Sequence, residues 1–367
     1  MRILVVTPRY AIAGVPLAQF RFARALAAAG HDVDLMIGRV DSHLELPVCE
    51  GVQIIRLDKP KVRHMFPSIC RYLRRVRPDV VFSAEDHLNA VVLTAAIITR
   101  SKAKISGSCR VTPFDTYSDV PLTKRWMLKQ AMRLIGRRAN ALTCVSRDMV
   151  LQYREVYRSS PHTHVYHIVV DGAAGAKMAE PVEEPWLVNK VEPVIVAAGS
   201  LQPWKGFADL IQAMRLLKER GRVVRLIILG EGPLHAELQG LAESLGLVDR
   251  VKLPGFTHNP LKYFALADAF VLSSHVEGMP NVLIEAMMCG CTPVATDCPT
   301  GPREVLQNGR YGYLVNVRDP AALADGIELA LKNPIPSEIL AEAVLPFEQN
   351  AVIRRHFELL GLMANRA

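Results

Sequence analysis

Two glutamates, Glu277 and Glu285, bracket the run Gly278-Met279-Pro280-Asn281-Val282-Leu283-Ile284. The apolar stretch Ala269-Phe-Val-Leu272 before them predicts a strand, and the residues from Asn281 onward predict a helix. The first N–H groups of such a helix, around Asn281, Val282 and Leu283, lack intrahelical partners, and with the helix dipole they attract phosphate. Two carboxylates beside a phosphate would repel it unless they bind hydroxyls on either side. A nucleotide-sugar has that layout, with sugar hydroxyls at one end and ribose hydroxyls at the other. The alternative makes Glu277 a turn residue and Glu285 a solvated one. Glu285 sits among Leu283, Ile284, Ala286 and Met287, where a carboxylate needs a partner.

Three further loops follow apolar strands. Val196-Ala-Ala-Gly199-Ser-Leu-Gln-Pro-Trp-Lys205-Gly206 places a lysine where a point charge can meet a diphosphate. Leu229-Gly230-Glu-Gly232-Pro233 joins a strand to a helix, a weak signal alone. Pro254-Gly-Phe256-Thr257-His-Asn259 either wraps a base or is an ordinary loop.

These loops need a scaffold. Strands are expected at 2–8, 33–38, 52–57, 79–83, 103–107, 141–145 and 164–170, with helices between several of them. Such alternation predicts a parallel sheet with helices on both faces. A Pro-rich, acidic stretch, 171–192, reads as a linker. The pattern then restarts with strands at 194–199, 223–230, 251–253, 269–274 and 292–297. Helices are expected at 207–219, 234–245, 259–267, 281–289 and 321–332. The domains are therefore 1–170 and 193–345, with a helical tail at 346–367 that closes the second or crosses back to the first. Ligands of doubly wound sheets bind at the carboxyl ends of the strands.

The 367 residues suffice for two domains. No apolar run has transmembrane length, and the first residues lack the blocks of a signal peptide, which predicts a cytoplasmic protein. The seven cysteines are scattered without a CxxC pair, and no metal site is expected at Cys289 and Cys291. The net charge of +8 is uneven: residues 1–170 hold 26 Lys and Arg against 13 Asp and Glu, the remainder 18 against 23. Lys59 to Arg77 and Lys124 to Arg138 are two basic segments with apolar residues interleaved, among them Phe66, Tyr72 and Trp126. They read either as surface helices packed on the sheet or as a surface for anionic membrane, where a lipid-linked acceptor would reside. No nucleic-acid-binding module is recognisable.

In order and spacing, Lys205-Gly206, Gly230-Glu-Gly232-Pro233 and Glu277 to Glu285 resemble the retaining family-4 glycosyltransferases of the GT-B fold. The resemblance reaches into the first half through Ala13-Gly14-Val15 and covers about residues 2–335. It implies an α/β protein with two Rossmann-like, doubly wound domains facing a central cleft. The donor would lie mostly on the second domain, as a substrate, with no cofactor and no required metal. By position, Glu277 would contact the transferred sugar and Glu285 the ribose. Lys205 and the amides of residues 281–283 would hold the diphosphate, with Glu277 and Lys205 as the catalytic pair. Gly230, Gly232, Phe256, Thr257, Gly278, Met279 and Pro280 complete the donor side, and Gly14 lets the first domain's loop approach the phosphates. The chain departs from the family in two places. Ser200 stands where many relatives have Arg, so the diphosphate loses one expected cation unless Arg303 or another residue replaces it. Where many have an acceptor-side His the chain reads Gly107-Ser-Cys109-Arg110-Val-Thr-Pro-Phe-Asp115, which leaves His87, Arg110 and Asp115 as acceptor-side residues. Thr296 to Glu304 resembles the loop of members that use UDP-linked hexoses or N-acetylhexosamines.

The expectation is a hexosyltransferase that moves sugar to a glycan or lipid-linked saccharide in cell-surface polysaccharide or glycolipid assembly. The rival is a non-catalytic binder of nucleotide-sugars or polyanions on the same fold. A dinucleotide oxidoreductase is disfavoured, because no Gly-x-Gly-x-x-Gly follows the first strand.

Overall fold

A computed structural model describes residues 1–11, 14–40, 46, 49–157, 161–170 and 172–363. The chain divides into two compact units, Met1–Asp171 with Phe347–Ala367, and Gly172–Pro346.

Among the described residues of the first unit, seven parallel strands lie in the order β3-β2-β1-β4-β5-β6-β7. They are β1 (Arg2–Tyr10), β2 (Asp32–Val40), β3 (Val52–Arg56), β4 (Val80–Ala84), β5 (Lys104–Cys109), β6 (Ala141–Cys144) and β7 (His162–His164). The central strands read as unbroken apolar runs because helices cover both faces. The chain order reverses between β1 and β4, where Ile3 pairs with Val80.

The expected strand at 164–170 is corrected: β7 ends at His164. Val165, Ile168 and Val169 are buried all the same. The Val165 N–H still donates to the Cys144 carbonyl of β6, but the N–H groups of Val169 and Val170 donate to the Phe347 carbonyl, so the end of this segment is tied to a distant part of the chain. The helix Gln349–Leu359 belongs to this unit. Val352, Ile353 and Phe357 enter the core beside Phe20, Phe22 and Phe82, and Lys104 Nζ donates to the Leu360 carbonyl.

The second unit holds six parallel strands among its described residues, in the order β10-β9-β8-β11-β12-β13. They are β8 (Val194–Ala198), β9 (Arg225–Leu229), β10 (Val251–Gly255), β11 (Ala269–Leu272), β12 (Thr292–Thr296) and β13 (Tyr313–Val315). Here the order reverses between β8 and β11. The expected helix at 259–267 shrinks to Leu261–Phe264, and a further helix, Ser337–Val344, stands where no element is expected.

Residues 172–192, expected as a linker, lie within the second unit. They carry short helices at Ala174–Met178 and Pro185–Val188. Leu187 is buried, and the Trp186 ring lies 4.1 Å from Lys252 Nζ and 5.0 Å from the Arg225 guanidinium carbon. One aromatic anchor and one aliphatic anchor hold a segment whose Pro and acidic content reads as unstructured.

Candidate functional site

In the second unit the loops after β8 and β11 meet at the strand-order reversal, where open α/β sheets take their ligands. Residues Pro203–Lys205 form one tight turn, and Gly206 ends it at φ 64°. A Cβ on Gly206 would stand 2.0 Å from the Ser273 carbonyl oxygen, so only glycine lets the loops touch. The contact is laced by hydrogen bonds. Ser273 Oγ donates to the Lys205 carbonyl at 2.9 Å, and the His275 N–H donates to the Trp204 carbonyl at 2.7 Å. His275 Nε2 lies 2.7 Å from Asp209 Oδ2 in the helix Phe207–Glu219.

This lacing brings the two strongest sequence candidates together. Lys205 Nζ donates to Glu277 Oε1 at 2.5 Å, and Ser274 Oγ donates to the same oxygen at 2.6 Å. Thr300 Oγ1, from the loop after β12, donates to the Glu277 carbonyl. The Gly230 turn after β9 packs onto the loop after β8, where at φ 143° an added Cβ would fall 1.9 Å from the Gly199 carbonyl oxygen. Gly232 lies against Leu201 in the same way.

Gly278, Met279 and Pro280 lead into the helix Asn281–Met288, with Pro280 at the N-cap. Proline offers no side-chain acceptor, and the first turn carries no acidic residue. Asn281 and Val282 are half-buried, while Leu283, Ile284, Ala286 and Met287 are buried. Glu285 is only 9% exposed, which removes the solvated alternative. Burial and the neighbouring Glu285 push the Cys289 thiol up to about 12. Phe256, at the end of β10, presents a half-exposed ring edge-on to His258, and Thr257 Oγ1 accepts from the Asn259 N–H at 3.2 Å. Arg303 forks onto Asp297, with Nε to Oδ1 at 2.9 Å. Like Lys205, Arg303 is thus held by a carboxylate in this structure. No group of three or more metal-ligating side chains occurs among the described residues.

In the first unit, Gly14 opens the helix Gly14–Ala28 at φ 65° with its Cβ position unobstructed, while Ala13 lies outside the described residues. His87 and Asp115 are exposed. Arg110, just past β5, is half-buried, with its Nε sealed and without a partner among the described residues. Burial pulls its pKa down to about 10. Sequence reasoning missed what lies behind them. Asp86 is 3% exposed and accepts from Tyr117 Oη at 2.5 Å and Tyr153 Oη at 2.8 Å, which ties the loop after β5 to the helix Asp86–Thr99. Burial raises the Asp86 carboxyl above its ordinary range. Ala84-Glu-Asp-His87 showed two acids at a strand end, but not that one is buried.

Two Rossmann-like sheets, the second with laced loops at its reversal point, define an α/β architecture of the GT-B class. The model for glycosyltransferase family 4 matches residues 13–172, and that for glycosyl transferases group 1 matches residues 180–344. The chain belongs to the family-4-type GT-B glycosyltransferases.

A Campylobacter jejuni relative is the N-acetylgalactosamine-N,N'-diacetylbacillosaminyl-diphospho-undecaprenol 4-alpha-N-acetylgalactosaminyltransferase. It is 39% identical over 139 residues, 38% of this chain and 37% of that protein. The lipopolysaccharide core biosynthesis glycosyltransferase LpsE of Rhizobium meliloti is 31% identical over 174 residues, 46% of this chain and 50% of that protein. Across the first curated relatives the match spans 37% to 60% of their length. The structure of Anabaena HepE in complex with UDP-glucose superposes with a TM-score of 0.72 at 17% identity, covering 99% of this chain and 100% of that one. A glycosyltransferase from Rickettsia africae gives 0.79 at 16%, covering 100% and 99%. Among the described residues no helix is long and apolar enough to cross a membrane.

Proposed function

We propose that the chain transfers a hexose or N-acetylhexosamine from a UDP-linked donor, with retention at the anomeric carbon, to a glycan or lipid-linked saccharide. The setting would be assembly of cell-surface polysaccharide or glycolipid. The carrying observation is the Lys205–Glu277 pair at the reversal point of the second sheet. On donor binding Lys205 exchanges the carboxylate for the diphosphate, and Glu277, freed, takes hydroxyls of the transferred sugar. Glu285 takes the ribose hydroxyls, and the Phe256 ring gives the base a face. Positive charge from Lys205 and the amides of residues 281–283 stabilises the departing diphosphate, so the reaction needs no metal. The acceptor hydroxyl attacks on the face the diphosphate leaves, and its proton passes to a diphosphate oxygen. The carboxylates orient hydroxyls, unlike the flanking pair of a glycoside hydrolase.

The acceptor is held by the first unit, with Arg110, His87 and Asp115 as its candidates. That unit docks peripherally on the inner face of the cell membrane through its basic helices. The experiment is a thermal-shift screen of nucleotide-sugars followed by product analysis. A bound donor at 100 times its dissociation constant adds about 2.7 kcal/mol of stability. A UDP-sugar that stabilises the protein and is slowly hydrolysed with retention supports the reading. Binding without any hydrolysis or transfer supports the non-catalytic rival instead.

A further inference from the structure

We infer that Glu85 binds the acceptor saccharide, its carboxylate taking two hydroxyl donors from adjacent carbons of the sugar. The inference rests on reading the chain as a glycosyltransferase that holds its acceptor on the first unit.

Glu85 follows β4 at the point where the strand order of the first sheet reverses, beside β1. A ligand crevice belongs there. Its backbone has φ 77° and ψ 134°. Arg100, at φ 51° and ψ 38°, shows the left-handed basin that side-chain-bearing residues tolerate. Glu85 lies outside it, near a region left almost entirely to glycine. Such a conformation persists only where its surroundings over-determine it, and they do. The Glu85 N–H donates to the Ser108 carbonyl at 2.9 Å, and the Glu85 carbonyl accepts from the Asn89 N–H at 2.9 Å. Asn89 is fully buried. Its Nδ2 donates to the Ser108 carbonyl at 3.1 Å, and its Oδ1 accepts from Ser83 Oγ at 2.7 Å.

The side chain is half-buried, and among the described residues no hydrogen bond or ion pair closes on its carboxylate. Burial raises its pKa, although Arg9, His87 and Arg110 lie within electrostatic reach. Arg110, at the end of neighbouring β5, is in the same condition: half-buried and without a hydrogen bond to its guanidinium among the described residues. A third polar group is stranded nearby. Gln19, 2% exposed, has an unpartnered Oε1 and shares with Arg110 a cavity of about 10 Å³, room for one water. Half-buried opposite charges that do not pair keep their bonding capacity for something else. The carboxylate can only accept and the guanidinium can only donate. A polyol such as a sugar ring satisfies both, because each hydroxyl is a donor and an acceptor.

Two variants separate binding from folding. Glu85→Gln keeps the backbone strain and removes the charge. Glu85→Gly releases the strain and removes the side chain, so its Tm rises above the parent's. Binding of the methyl glycosides of glucose, galactose, N-acetylglucosamine and N-acetylgalactosamine is followed by saturation-transfer NMR in the presence of UDP. At least one glycoside binds the parent, and both variants weaken it tenfold or more while their affinity for UDP is unchanged. A parent that binds none of the four, or variants that bind within twofold of the parent, overturns the assignment. A parent that fails to bind UDP identifies the glycosyltransferase reading as the part at fault.

Discussion

Lys205 Nζ stands 2.5 Å from Glu277 Oε1, and the two side chains are 16% and 11% exposed. The pair neutralises itself at the site proposed for the donor, so whatever binds there must part it. Neither residue is a spectator in the other's substitution.

Lys205→Ala should therefore do two things. It removes a charge-assisted contact to the diphosphate, weakening UDP about 10- to 150-fold for a loss of about 1.5–3 kcal/mol. It also strands a largely buried carboxylate, which costs about 3–5 kcal/mol when a buried pair is broken from one side. Calorimetric titration with UDP reads the first effect and thermal unfolding the second. The double variant Lys205→Ala with Glu277→Ala should recover part of the lost Tm but none of the affinity. Parent-like UDP affinity in the single variant would remove Lys205 from the site.

The two glutamates should separate kinetically. Glu285→Gln should raise the donor's dissociation constant through the ribose. Glu277→Gln should depress turnover more than nucleotide binding, because its hydroxyl partners are on the transferred sugar. Steady-state kinetics with both variants checks the split, and parent-like rates in both would refute the assignments.

Gly206→Ala tests the lacing itself. A left-handed alanine and a Cβ 2.0 Å from a carbonyl oxygen should cost at least about 2 kcal/mol. Ala at Gly14, where nothing lies within 4 Å, meets only the φ penalty and should cost less. Denaturant unfolding of the two variants compares them.

Acid should loosen the first unit. His162, His164 and His356 are held neutral by burial, with pKa values pulled down to about 4, about 4 and about 3. In the unfolded chain they titrate near 6.5. The unfolded state thus binds more protons as the pH falls, and stability is lost from about pH 6.5 down to about 4 for His162 and His164 and about 3 for His356. For the buried His162 and His356 the loss is on the order of 2 kcal/mol apiece by pH 5. Unfolding midpoints between pH 7.5 and 5 check the slope, and His356→Leu should flatten it.

The basic helices should release the protein from anionic vesicles when reversed in charge. Arg71, Arg74 and Arg75 are exposed on the helix Phe66–Arg75, while Ile69, Cys70, Tyr72 and Leu73 are buried. Tyr72 donates to Asp34, so it is not an interfacial aromatic. Apolar contact would come from the second segment and the residues just before it, where Leu122, Met127 and Leu134 are 82%, 50% and 80% exposed. Reversal of the three arginines should abolish sedimentation with anionic liposomes at low salt and leave UDP binding intact. Equal binding to neutral lipid would return these helices to ordinary surface.

The sheets were legible because strands buried on both faces leave continuous apolar runs, and Gly and Pro mark the loops between them. The short edge strand Tyr313–Val315 escaped because its residues are only half-buried and its run too short to stand out. The spacing of Lys205, Glu277 and Glu285 was visible along the chain. Ser274 and Thr300 were not, because the folded loops, rather than any spacing, bring them to Glu277. Glu85 could not be found at all from composition: its signal is a backbone angle, and Asn89, which fixes it, reads as an ordinary helix residue.

The helix Gln349–Leu359 has a consequence for how the protein is made. Its apolar face fills the first unit's core, yet the ribosome delivers it only after the whole of residues 172–346. The later unit is one unbroken segment and can mature while synthesis continues. The earlier one must wait, with Phe22 and Phe82 lacking their final cover, until translation reaches the far end. A stalled or prematurely terminated chain would thus present its aggregation-prone surface on the half that was synthesised first.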